Sequence, residues 1–121
     1  QISPEELGDH FNVFTLGTDS YVVTAGKADH YNSMIGSGGG MGLLFKKPAT
    51  WCVFRSDRYT LELMQKEGTY TLSYFSEEYR DQLLFLASKS GRDSEKMKES
   101  ELTSIQTPSG DMSFKEAKLI I

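Results

Sequence analysis

The sequence predicts a mainly β domain: a largely antiparallel sheet closing into a small barrel, with two or three short helices at its edges. Three observations carry this. A chain of 121 residues has room for one domain, here residues 1–121. Six or seven short runs rich in β-branched and aromatic residues punctuate it. Most links between those runs are shorter than the roughly dozen residues that a parallel crossover requires.

Taken in order, Ser3-Pro4-Glu5-Glu6-Leu7 reads as a helix start, with Ser at the cap and Pro in the first turn. Residues 11–16 and 21–25 read as strands joined by the hairpin signal Gly17-Thr18-Asp19. A third strand over 31–37 leads into the glycines of 36–42, which read as a loop or as bare backbone. Residues 49–54, after Pro48, predict a strand buried on at least one face, with Trp51 and Phe54 in the core. Residues 60–67 predict a helix capped by Thr60 and stopped by Gly68, with Leu61 and Met64 on one side. A strand over 69–75 follows. Ser76 then caps a helix to Ser88 whose Tyr79, Leu83, Leu86 and Ala87 share a face. Ser90-Gly91-Arg92-Asp93 breaks that helix, and Asp93 caps a polar one ending at Glu99. Residues 102–105 and 113–121 complete the strands.

Composition excludes several functions. Thirteen basic against seventeen acidic side chains give a formal charge of −4, the wrong sign for binding nucleic acid through a broad basic face. No run approaches the 18 or more apolar residues of a membrane helix, so no membrane partner is expected. One cysteine cannot form an internal disulfide, which points to a reducing, cytoplasmic setting. The chain opens on Gln without a basic-then-apolar leader, so no signal peptide is read. It ends on Leu119-Ile120-Ile121, and because a bare terminal strand exposes apolar surface and unpaired backbone, the natural chain is expected to continue.

Three clusters carry chemical meaning. The stretch Gly36-Ser37-Gly38-Gly39-Gly40-Met41-Gly42 fits neither the phosphate-loop nor the dinucleotide pattern. It is either a flexible surface loop or bare backbone that lets a flat group approach, with Asn32, Ser33 and Ser37 adding polar groups. Arg55-Ser56-Asp57-Arg58-Tyr59-Thr60 lies where a strand gives way to a helix. Helix-start N–H groups and the Arg58 guanidinium suit an anion there. The bland alternative is a solvated turn in which Arg55 and Arg58 pair with Asp57 or Glu62. Ser88-Lys89-Ser90-Gly91-Arg92-Asp93 is a second basic, hydroxyl-bearing turn, and the two together point to a small phosphorylated ligand.

The catalytic inventory is short. His10 and His30 lack zinc-site spacing, Cys52 sits in an apolar run as an inert thiol, and Glu77-Glu78 reads as helix N-terminal acid. No side chain is assigned as acid, base, nucleophile or metal ligand. An enzyme built on this sequence borrows its reactivity from an organic cofactor.

Several segments, in this order, resemble the flavin reductase-like family: Tyr31-Asn32-Ser33-Met34-Ile35-Gly36-Ser37 with the glycines, Leu44-Phe45-Lys46-Lys47-Pro48, Arg55, Asp57-Arg58-Tyr59-Thr60-Leu61-Glu62, Tyr70-Thr71-Leu72-Ser73-Tyr74-Phe75, Glu78-Tyr79-Arg80 and Ser88-Lys89-Ser90-Gly91-Arg92-Asp93. The resemblance implies an FMN-binding split β-barrel, an antiparallel Greek-key barrel that is homodimeric and holds FMN near the dimer interface. It implies that Asn32, Ser33, Met34, Ile35 and Ser37 line the flavin, with Gly38 beside it. By the same likeness Arg58, Tyr59 and Thr60 hold the phosphate and ribityl end, and Ser90, Gly91 and Arg92 close over the cofactor. Two positions depart from the family: Ile35 stands where relatives carry Thr, and Gly38 where they carry Trp. The implied activity is an oxidoreductase passing hydride from NADH or NADPH to the flavin. The alternatives are a split barrel that holds flavin without turnover, and a truncated dimeric remnant that binds nothing.

Overall fold

A computed structural model of the chain describes residues 20–92 and 95–121. The helix start at Ser3, the strand over 11–16, its hairpin turn, His10 and the Asp93 cap lie outside the described residues. Every strand pairing in the rest is antiparallel.

The main sheet has the order β2 (His30–Gly36), β1 (Tyr21–Lys27), β5 (Thr71–Tyr74) and β8 (Leu119–Ile120). Strand β1 (Tyr21–Lys27) and β2 (His30–Gly36) form a hairpin in which Val23 faces Met34 and Ala25 faces Asn32. Alternation along β1 feeds two cores. Tyr21 and Val23 join Leu72 and Tyr74 on one face, while Val22 joins Phe75, Leu86, Leu102 and Phe114 on the other. Polar side chains inside the sheet bond one another, Thr24 to Ser33 at 2.7 Å and Ser73 to Ser113 at 2.8 Å, so their burial leaves no hydroxyl unpaired.

The glycine segment is not a loop. Strand β3 (Gly39–Leu44) and β4 (Lys47–Cys52) form a second hairpin, turned by Phe45 and Lys46 at φ 50° and 65°. Gly40 lies opposite Trp51, whose indole occupies the space a Cβ at residue 40 would need, and the ring also reaches Gly42. The flat group received by the bare backbone is the protein's own tryptophan. Among the described residues this hairpin forms a two-stranded sheet of its own, and the expected burial of 49–54 fails at its outer positions: Trp51 is 53 % exposed and Val53 70 %. Cys52 and Phe54 do pack against the first core.

Helix α1 (Tyr59–Glu67) ends at Gly68, whose N–H donates to the Met64 carbonyl at 2.8 Å. Its N-cap is Arg58 rather than Thr60. Thr60 instead turns inward, where its hydroxyl accepts from Asn32 Nδ2 at 2.9 Å. Its buried residues are Thr60 and Leu63, not Leu61, because a start at Tyr59 sets that face against β1 and β2. Strand β5 (Thr71–Tyr74) leads through a 3₁₀ turn (Glu77–Tyr79) into α2 (Arg80–Ser88), which buries Leu86 and packs Leu83 and Tyr79 beside it. Helix α3 (Lys96–Glu99), β6 (Ser104–Gln106), β7 (Met112–Phe114) and β8 (Leu119–Ile120) follow. The single strand expected over 113–121 is two. Burying Phe114 holds β7 against β6, and a turn closed from the Ala117 N–H to the Phe114 carbonyl carries the chain over to pair β8 with β5. The described strands thus form one four-stranded and two two-stranded sheets that do not close into a single ladder.

Candidate functional site

Among the described strands β2 lies at the edge of the main sheet, where alternate N–H and C=O groups face outward with no described strand partner. A cavity of about 470 Å³ runs beside it, between the start of α1 and the end of α2. Asn32, Met34 and Ile35 form one wall, Arg58, Tyr59 and Thr60 the second, and Ser88, Lys89, Ser90 and Gly91 the third. The sequence clusters at 31–37, 55–60 and 88–93 thereby meet around one space. A second cavity of about 490 Å³ adjoins it, sharing Asn32, Tyr59, Gly91 and Lys96 and adding His30 and Lys98.

The start of α1 has no side-chain cap, which leaves the first-turn N–H groups to whatever enters the cavity. The ion pairs settle the fate of the arginines. Arg55 takes Asp57 at 3.1 Å, and Glu62 is held by both guanidinium nitrogens of Arg92. Among the described residues, no carboxylate remains on Arg58. Beside it stands a cation that reading the motifs passed over. Lys96 is 3 % exposed and lines the same cavity. Its Nζ donates to the carbonyls of Lys89 at 3.1 Å and Leu86 at 3.4 Å, with no carboxylate partner among the described residues. Burial, and then the charge of Arg58, pull its pKa down to about 8. The only signal in the sequence was a lysine a few residues after the basic turn, in a helix that reads as solvated.

The segment after α2 is strapped in place. Gly91 lies against the Asn32 amide so closely that a Cβ would collide with it. Arg92 sits outside the cavity, its guanidinium 5.1 Å from the centre of the Tyr59 ring and paired to Glu62, whose carboxyl it holds below the usual range. Tyr59 in turn shares a hydrogen bond of 2.5 Å with His30 Nε2. Three more of the expected residues lie off the cavity. Ser33 is committed to Thr24 within the sheet. Ser37 and Gly38 begin the second hairpin, where the Gly38 carbonyl accepts from the Tyr21 hydroxyl at 2.5 Å and from the Val53 N–H at 3.1 Å. Cys52 sits away from the cavity, and burial pushes its thiol pKa up against the smaller, opposing influence of Tyr21 and Tyr70. Among the described residues no three His, Cys, Asp or Glu side chains cluster as metal ligands, and no helix is long and apolar enough to cross a membrane.

No protein-family model matches the sequence, and no curated protein sequence matches it. Solved structures do match its shape. An FMN-binding domain of a flavin reductases-like enzyme from Shewanella baltica OS155 superposes with a TM-score of 0.78 at 12 % identity, over 90 % of this chain and 59 % of that one. Flavoredoxin of Desulfovibrio vulgaris (Miyazaki F) gives 0.73 at 20 % identity, over 96 % and 61 %. A split-barrel protein from Shewanella frigidimarina NCIMB 400, assigned as a flavin reductase, gives 0.72 at 16 % identity, over 99 % and 65 %. The chain has the split-barrel fold of the flavin reductase-like proteins. It spans less than two thirds of each of those three structures. In this split barrel the cavity is lined by residues of β2.

Proposed function

We propose that this split barrel binds FMN in the cavity beside β2. The observation that carries the reading is the meeting of Arg58 and Lys96, two cations without carboxylate partners among the described residues, at an uncapped helix start. A phosphate dianion supplies the charge those groups lack, and it accepts from first-turn N–H groups as well. The rest of the cavity suits a flat, polar-edged ring: Met34 and Ile35 offer apolar surface, while Asn32 and the free edge of β2 offer donors and acceptors. Ser90 and Gly91 would cover the ligand, and the bare Gly91 leaves room for the Asn32 amide that braces Thr60.

FMN in such a site supplies hydride-accepting chemistry, with NADH or NADPH as the donor. The chain's own part is to neutralise the phosphate, fix the ring edge and shield one side from water. No side chain is required as a proton donor. The reading includes a homodimer. Titrating FMN and following quenching of its fluorescence tests binding, with Arg58→Ala expected to weaken affinity by about 10-fold or more. Unchanged flavin emission on adding the wild-type protein would falsify the reading. Oxidation of NADH or NADPH with FMN present separates a reductase from a split barrel that holds flavin without turnover.

A further inference from the structure

The cavity holds a nucleophile that the flavin reading uses only as a charge. Lys96 stands on α3, is 3 % exposed and lines both cavities. A lysine buried to that degree is normally paired with a carboxylate. Among the described residues its Nζ has instead two main-chain acceptors, the carbonyls of Lys89 at 3.1 Å and Leu86 at 3.4 Å. An ammonium carries three N–H groups, so one would go unspent there. A neutral amine carries two, one for each carbonyl, and keeps a free lone pair. Burial and the Arg58 charge favour that neutral form. Desolvated lysines beside a second cation are the ones that act as nucleophiles toward carbonyl groups. Lys98, on the same helix and lining the second cavity, makes the contrast. Its side chain is 78 % exposed and held by Glu95 at 3.2 Å, which keeps it a solvated ammonium. Lys96 also shares its cavity with an anchor for phosphate: Arg58 and the first-turn N–H groups of α1, which has no side-chain cap. An amine and an anion anchor in one space suit a ligand that carries a carbonyl and a phosphate on one short skeleton.

We propose that Lys96 is a covalent site for small phosphorylated aldehydes, held through the phosphate at Arg58 and the start of α1 and joined to Nζ as an imine. The Nζ lone pair forms a bond to the aldehyde carbon while the C=O π pair moves to oxygen. A proton passes from nitrogen to that oxygen, giving a neutral carbinolamine. The carbinolamine then loses its hydroxyl group and the remaining N–H proton as water, and C=N forms. Nothing is oxidised or reduced, so the step needs no further reactant. The site lies in the cavity proposed for FMN but needs no flavin, and the two ligands exclude one another there.

The probe is glyceraldehyde 3-phosphate, with cyanoborohydride to reduce the imine to a stable secondary amine and peptide mass mapping to locate it. Lys96 should be labelled about 10-fold or more faster than Lys98. Glyceraldehyde without its phosphate should label Lys96 about 10-fold more slowly. Inorganic phosphate in excess, FMN, or Arg58→Ala should each slow the reaction at Lys96 and leave that at Lys98 unchanged. Lys96→Met should abolish the fast adduct with the circular dichroism preserved; should that variant misfold, the competition by phosphate on the wild type carries the test. Labelling of Lys96 no faster than that of Lys98 overturns the proposal. So does a rate at Lys96 indifferent to the phosphate on the aldehyde. Quenching of FMN without fast labelling would sink the covalent site and spare the flavin; fast labelling in a protein that leaves FMN emission unchanged would do the reverse.

Discussion

Lys96 and Arg58 line one cavity, neither paired to a carboxylate among the described residues, and the Arg58 charge adds to burial in disfavouring the Lys96 ammonium. A buried ammonium without a counter-ion is destabilising unless an anion completes it. That relationship sets stability against binding. Lys96→Met keeps most of the packing volume and removes the buried cation. It should raise the melting temperature of the ligand-free protein and weaken FMN by about 10-fold or more. A variant that loses stability and keeps its affinity would make Lys96 a structural residue.

The same pair fixes a pH dependence. Lys96 titrates near 8 rather than at lysine's ordinary value, because burial and Arg58 disfavour the ammonium. Its charge is complete well below that pH and gone well above it. Affinity for FMN should therefore hold through neutrality and fall as the pH rises past about 8, measured by quenching titrations in series. Lys96→Met should flatten that fall, since no group at residue 96 then titrates.

Asp111 ties the β6–β7 turn to β1. Its carboxylate accepts from Lys27 Nζ and from the Thr69 hydroxyl, each at 2.7 Å, and from Ser109 at 2.9 Å. Lys27 first, then Thr69, hold its pKa down to about 2. A carboxyl lowered on folding contributes stability above its unfolded value near 4 and loses it as the pH falls toward 2. With Lys27 partly exposed and screened by water, the contribution is about 1 kcal/mol. Asp111→Asn should lower the melting temperature at pH 7 and converge with the wild type in strong acid.

Gly91→Ala places a methyl group against the Asn32 amide. Either the segment after α2 lifts or Asn32 swings off Thr60, breaking the 2.9 Å bond that braces the start of α1. The expected cost is about 1–3 kcal/mol of stability together with weaker FMN binding, read by denaturant titration and flavin quenching. Full affinity in the alanine variant would mean that the segment does not shape the cavity.

Much of the fold was legible in the residues. The antiparallel pairing followed from short links, and the end of α1 from Gly68. The glycines of β3 show the limit. Their pattern left a surface loop and a bare backbone for a flat group both open, and only the register of Gly40 against Trp51 shows that the group is an indole of the same chain. The break between β7 and β8 was hidden for a similar reason: residues 113–121 suit an extended conformation throughout, and the burial of Phe114 decides where the chain turns.

By itself the sequence determined local matters: which runs are strands, where α1 stops, and which two turns are basic. Those depend on neighbours a few positions apart, which a sequence states directly. Only the tertiary structure decided that Arg55 and Arg92 consume Asp57 and Glu62, leaving Arg58 to share a cavity with Lys96. Ion pairing and burial depend on distance in space, and the packing of α1, α2 and α3 around an edge strand sets those distances.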